Sequence, residues 1–128
     1  MSTILSNLSF ILVPQAFPRN FTGYSISQTA IQLLWAPVNK DKANGFVIGY
    51  NVSLKEADGI QPTRHITFDS SNLQAVIGWL KPFTAYKLKV RAFTIKGNGP
   101  PSDFITVKTE EEGGYFAVKL SELFVSTT

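Results

Sequence analysis

The stretch Leu80-Lys81-Pro82-Phe83-Thr84-Ala85-Tyr86-Lys87-Leu88-Lys89-Val90-Arg91-Ala92 decides how the whole chain is read. Its second half alternates without a break. Tyr86, Leu88, Val90 and Ala92 point one way, and Lys87, Lys89 and Arg91 the other. That period of two is the pattern of a β-strand with one face buried and one face in water. Ahead of the strand, Pro82 fixes φ and removes a backbone donor, which suits a corner where no ladder bond is wanted. A tyrosine just past such a corner can bury its ring while its hydroxyl bonds a nearby backbone group. Tyr86 is read as that pin.

The segments on either side repeat the pattern. A strand is expected over Phe21 to Ile26. Ile31, Leu33 and Trp35 make a second, closed by Pro37. Asn39 to Gly45 is a polar turn. Phe46, Ile48, Tyr50, Val52 and Leu54 then alternate with Val47, Gly49, Asn51 and Ser53, a long third strand. Asp58-Gly59 marks a turn. His65 to Phe68 and Leu73 to Ile77 give two short strands, and Phe104 to Thr109 the last, after the loop signal Gly97-Asn98-Gly99-Pro100-Pro101. Seven β segments separated by turn signals, with no convincing helix, predict an all-β fold, a seven-stranded antiparallel β-sandwich. Alternation assigns Trp35, Tyr50, Leu80, Tyr86, Leu88 and Val90 to its core.

Composition agrees with one folded unit. The chain has 128 residues, 44% of them hydrophobic, and a net charge of +3. That excess is small and spread along the chain, too little to indicate nucleic acid. With no cysteine there is neither disulfide nor thiolate chemistry, and the redox compartment stays open. No run approaches the roughly 20 apolar residues of a membrane helix. Residues 1–13 read as a leader or linker. They make a poor secretion signal, with no Lys or Arg before the apolar run and with Ser6, Asn7 and Ser9 interrupting it. Residues 14–110 form the expected domain. The acidic, glycine-bearing run Glu110-Glu111-Glu112-Gly113-Gly114 leads into a tail over 111–128, either flexible or a short amphipathic helix carrying Phe116, Leu120, Leu123 and Phe124.

Several landmarks occur in order: Pro18-Arg19-Asn20-Phe21, Trp35, Tyr50, Leu80-x-Pro82-x-x-x-Tyr86, Val90-x-Ala92 and Gly97-x-Gly99-Pro100-Pro101-Ser102. Together they resemble the fibronectin type III module over residues 14–110. The resemblance implies an immunoglobulin-like sandwich with Trp35 at the centre of the core, its Tyr86 corner included. The sheets would group the first, second and fifth segments against the third, fourth, sixth and seventh. Four features depart from the family pattern. Trp79 and Phe83 occupy corner positions that are usually small or polar, and Gly23 lies where an apolar inward residue is usual. The Lys96-Gly97-Asn98-Gly99 loop lacks the Arg-Gly-Asp triplet of integrin-binding members, and the cytokine-receptor Trp-Ser-x-Trp-Ser signature is missing.

No catalytic constellation is legible. His65 is the lone histidine, the acids fall mostly in turns or the tail, and no phosphate cradle or metal-ligand cluster is present. No cofactor is expected and the chain is read as non-enzymatic. Sequons at Asn7, Asn20 and Asn51 are glycosylation candidates, and Asn51 is turned outward by its strand.

Three surface features are interface candidates. Lys87, Lys89 and Arg91 stand about 7 Å apart on one strand face. They are either a solvated face or a docking stripe for a sulfated glycan or acidic partner. Trp79 and Phe83 are either an exposed aromatic patch or folded over the sandwich end. Lys96 and Asn98 lie on an exposed loop, Ile95 to Pro101, that either recognises a partner or only connects strands. The resemblance implies an extracellular or cell-surface glycoprotein module of a cell-adhesion or receptor ectodomain, recognising protein or acting as a spacer. The alternatives are an accessory module of a secreted carbohydrate-active enzyme and a cytosolic muscle-type structural module.

Overall fold

The computed structural model describes residues 13–111. Its elements are β1 (Thr22–Ser27), β2 (Ala30–Leu34), α1 (Lys40–Ala43), β3 (Gly49–Glu56), β4 (Arg64–Asp69), β5 (Gln74–Ile77), β6 (Ala85–Thr94), β7 (Gly97–Asn98) and β8 (Ile105–Lys108). One sheet runs β1-β2-β5. The other runs β4-β3-β6, with β7 and β8 pairing with β6. All pairings are antiparallel. The leader expected over 1–13 and the tail expected over 111–128 fall, Val13 and Glu111 apart, outside the described residues.

β6 is the spine. Its burial alternates along all ten residues, so Tyr86, Leu88, Val90, Ala92 and Thr94 turn into the sandwich. Beside it in the same sheet β3 supplies Tyr50, Val52 and Leu54, and from the opposite sheet β2 supplies Ile31 and Leu33, all buried. Trp35 follows β2 and is 5% exposed. Its ring lies 5.5 Å from Tyr50, 6.0 Å from Phe68 and 6.4 Å from Phe21, each pair tilted, as aromatic quadrupoles prefer. Burial pushes the Tyr50 phenol above its ordinary pKa, so that ring stays neutral within the cluster.

Gly23 owes its place on β1 to a close approach. A Cβ there would stand 2.8 Å from Leu33 Cδ2, 3.1 Å from Ile105 Cδ1 and 3.2 Å from Val107 Cγ2. The glycine lets β1 close against β8, and side chains of β2 and β8 fill the space its own would need.

The strands differ from the sequence reading in three ways. The long third strand begins at Gly49, not Phe46, and Phe46 is 87% exposed. Asn44 and Gly45 have positive φ, so the chain is still turning there. The inward set then changes parity between Val47, which packs on the core, and Tyr50. The polar turn holds one helical turn, α1, with Ala43 buried and Asn44 in the left-handed region closing it.

The loop after β6 adds an eighth strand, because Gly97 and Asn98 pair with Thr94 and Phe93. Between β7 and β8, Pro100 and Pro101 cannot donate. Ser102 continues the edge of β6 instead. Its N–H donates to the Val90 carbonyl (2.8 Å) and its hydroxyl accepts from the Val90 N–H (2.9 Å).

Candidate functional site

The interface candidates separate into three places along β6: a corner before it, a face along it and a hairpin after it. A ten-residue strand is about 33 Å long, so no single contact joins the corner to the hairpin.

At the corner, the Lys81 N–H donates to the Tyr86 hydroxyl (2.9 Å). The buried Thr109 hydroxyl donates to the Lys81 carbonyl (2.6 Å) and accepts from the Thr84 N–H (3.0 Å). The Leu80 N–H donates to the Thr29 carbonyl, and the Phe83 N–H to that of Glu110. With Leu80 buried, these bonds over-determine the backbone. The side chains between them are turned out. Trp79 (φ 59) and Phe83 (φ 49) are both in the left-handed region, which bulky residues avoid at a cost of about 1–2 kcal/mol. Trp79 is 98% exposed, so the alternative in which it folds over the sandwich end does not hold. Phe83 is 59% exposed and carries the Lys108 ammonium 3.7 Å from its ring centroid. Beside Trp79 lies a shallow groove of about 360 Å³ edged by Gln61, Pro62, Arg64 and Lys81.

The second place is the outer face of the larger sheet. Register sets Lys55 opposite Lys87, Ser53 opposite Lys89 and Asn51 opposite Arg91. On the other side of β3, His65 faces Ser53 and Thr67 faces Asn51. Phe104 lies over the middle. The ammonium of Lys89 is 4.9 Å, and that of Lys55 5.6 Å, from its ring centroid. Among the described residues the one ion pair is Lys81 with Glu56, away from this face. The Lys55, Lys87, Lys89 and Arg91 charges therefore have no carboxylate at ion-pair distance there. Ser53, turned outward by its strand, is nonetheless only 2% exposed, covered by its neighbours on the face. Its hydroxyl and His65 Nδ1 are hydrogen-bonded at 3.1 Å. With that hydroxyl buried, the pair ties β3 to β4 and presents no nucleophile.

At the hairpin the chain turns within two residues. Ile95, 86% exposed, and Lys96 form the tip, and Asn98 is exposed on β7. The loop is thus shorter than its sequence suggests, because Gly97 and Asn98 pair back onto β6 and the Gly99 N–H donates to the Ala92 carbonyl (2.8 Å). A Cβ on Gly99 would stand 2.6 Å from Pro14 Cβ.

Of the sequons, Asn20 is exposed with Thr22 also exposed. Asn51 is half-buried in mid-strand, with its Oδ1 buried and without a partner among the described residues. Asn7 lies outside the described residues. The expected pairing of the third and sixth strands already sets Lys55 on the cationic face with Asn51 and Ser53, and the register agrees. Sequence reasoning missed Phe104, Ser102 and Thr109. Phe104 joins that face only through a loop. The signal for the other two was a small hydroxyl residue beside a proline pair and another at a strand end, patterns too common to single out.

A family profile for the fibronectin type III domain matches residues 16–108. The chain belongs to the fibronectin type III family. Among curated relatives, mouse Protein sidekick-1 is 36% identical over 103 residues, 78% of this chain. The Drosophila melanogaster Tyrosine-protein phosphatase Lar is 37% identical over 100 residues, also 78% of this chain. The chain spans only 5% of the length of either relative, so the match is to a fibronectin type III region and the phosphatase activity in a relative's name is not part of it. Among solved structures, the third fibronectin III domain of human KIAA0343 protein superposes with a TM-score of 0.72 at 25% identity, covering 79% of this chain and 86% of that one. The FN5 domain of Drosophila Lar gives 0.64 at 25% identity, over 78% of this chain and all of that domain. As a fibronectin type III module the chain is non-catalytic by itself, and it resembles modules of cell-surface and receptor proteins.

Proposed function

We propose that residues 14–110 form an extracellular recognition or spacer module of a cell-adhesion or receptor-type protein, contacting other proteins through the corner before β6. The observation that carries recognition is Trp79. A tryptophan that is 98% exposed in a left-handed backbone conformation gains nothing from the fold and strains it. Tryptophan is also the side chain most enriched at protein interface hot spots. Phe83 and the groove edged by Arg64 and Lys81 extend that surface, while the outer face of the larger sheet offers a second contact for a partner of opposite charge. Similarity to the sidekick and Lar relatives supports this reading of the parent protein.

The test is staining of cells that express the parent protein with an antibody raised against this module. Staining of intact cells is expected. Staining only after permeabilisation would instead place the module among intracellular structural ones. In the same cells, glycosidase should lower the mass of the module, and Asn20→Gln and Asn51→Gln together should remove that shift among the described sequons.

A further inference from the structure

The outer face of the β4-β3-β6-β8 sheet combines features that a solvated surface would not keep. Lys55 lies directly opposite Lys87. Like charges in that position destabilise a sheet. Among the described residues no carboxylate lies at ion-pair distance from them. Phe104 gathers the Lys55 and Lys89 ammoniums towards one ring instead of letting them spread into water. Lys87, Lys89 and Arg91 continue the charge along β6 at about 7 Å intervals. Resting on the recognition role proposed above, we propose that this face is a binding site for a sulfated glycan.

The chemistry separates that ligand from an acidic protein. Protein interfaces centre on desolvated aromatic or aliphatic anchors and keep charge to the rim. This face has cations at its centre, and its large exposed apolar side chain, Phe104, already has ammoniums at its ring. A flexible polyanion needs no apolar anchor, since its binding comes from neutralising charge along a row and releasing counterions. A sulfated chain carries more charge per sugar than one bearing carboxylates alone, so it is the better match to closely spaced cations.

The experiment uses the 128-residue chain made in bacteria, so that Asn51 carries no glycan, with heparin as probe at low and physiological salt. Lys87→Gln with Lys89→Gln is compared with Lys42→Gln plus Lys96→Gln, which removes the same charge elsewhere. The parent should bind heparin at low salt, with log affinity falling linearly in log salt. The face variant should bind roughly tenfold more weakly, its salt slope reduced by about one per cation removed. The control pair should stay close to the parent. Phe104→Leu, with net charge unchanged, should weaken binding several-fold by releasing the two ammoniums, and urea midpoints verify that each variant is folded. No retention of the parent, equal losses in the two charge pairs, or equal competition by hyaluronan or polyglutamate would each overturn the proposal. None of these outcomes bears on staining of intact cells, so the two proposals fail separately.

Discussion

At the scale of single residues, the corner before β6 shows that one segment can be fixed and strained together. The Tyr86 hydroxyl satisfies the Lys81 N–H at 2.9 Å, and the ring that carries it is buried. Tyr86→Phe keeps the packing and orphans that donor, so stability should fall by about 1–2 kcal/mol with the fold intact. An unchanged urea midpoint would mean the bond contributes nothing to the corner. Trp79 should behave the opposite way. Its side chain, 98% exposed, makes little contact to lose, and its φ of 59° suits glycine. Trp79→Gly should raise stability by about 0.5–1 kcal/mol, the relief of backbone strain less the added freedom of the unfolded chain. A loss of stability would show that the indole packs on the module after all and would remove the case for Trp79 as a contact residue.

At the scale of elements, Gly23 shows how closely β1 and β8 meet. Gly23→Val would drive a branched side chain into Leu33, Ile105 and Val107, whose atoms lie 2.8–3.2 Å from its Cβ position. Overpacking of this kind costs about 1–3 kcal/mol. Denaturant titration should show that loss, and a neutral outcome would mean β1 can move away from β8 freely. Alternation made β2, β5, β6 and β8 readable in the sequence because each keeps one inward parity from end to end. Alternation also gave Tyr50, Val52 and Leu54 of β3 as inward, and failed only in the segment before it, where parity changes between Val47 and Tyr50 and a run of alternating apolar residues hides the change. The β7 pairing and the Ser102 and Thr109 bonds stayed hidden for a different reason. They depend on which backbone groups of β6 and the corner remain unpaired after the sheet forms, a property of the assembled sandwich. The corner itself was legible because proline, tyrosine and the alternation coincide within a few residues. Whether its aromatics point in or out was not, since that depends on φ at Trp79 and Phe83.

At the scale of the whole molecule, the sandwich has two chemically unlike outer faces. The smaller sheet presents Tyr24, Ile26, Gln32, Leu34, Gln74 and Val76, with no formal charge among them. The larger sheet presents Lys55, Lys87, Lys89 and Arg91 with no described carboxylate paired to them. A net charge of +3 thus understates the local field on this face, where four cations stand on two neighbouring strands. That asymmetry has a consequence for stability that involves no ligand. Cross-strand neighbours are about 5 Å apart at Cβ, well inside the Debye length of about 30 Å at 0.01 M salt and still inside the 8 Å at 0.15 M. The charges sit further out, on flexible stems, so the repulsion between Lys55 and Lys87 is felt most at low salt and is increasingly screened as salt rises to physiological strength. Lys87→Gln should stabilise the module by a few tenths of a kcal/mol at low salt, with the gain shrinking as sodium chloride is added. The parent, for its part, should show a rising urea midpoint over the same salt range. Lys96→Gln, at the exposed hairpin tip, removes the same charge away from the face and should change neither quantity measurably. If Lys87→Gln destabilises the module, or if the two variants respond to salt alike, the cations on this face do not repel one another as their register demands, and the face is an ordinary solvated surface.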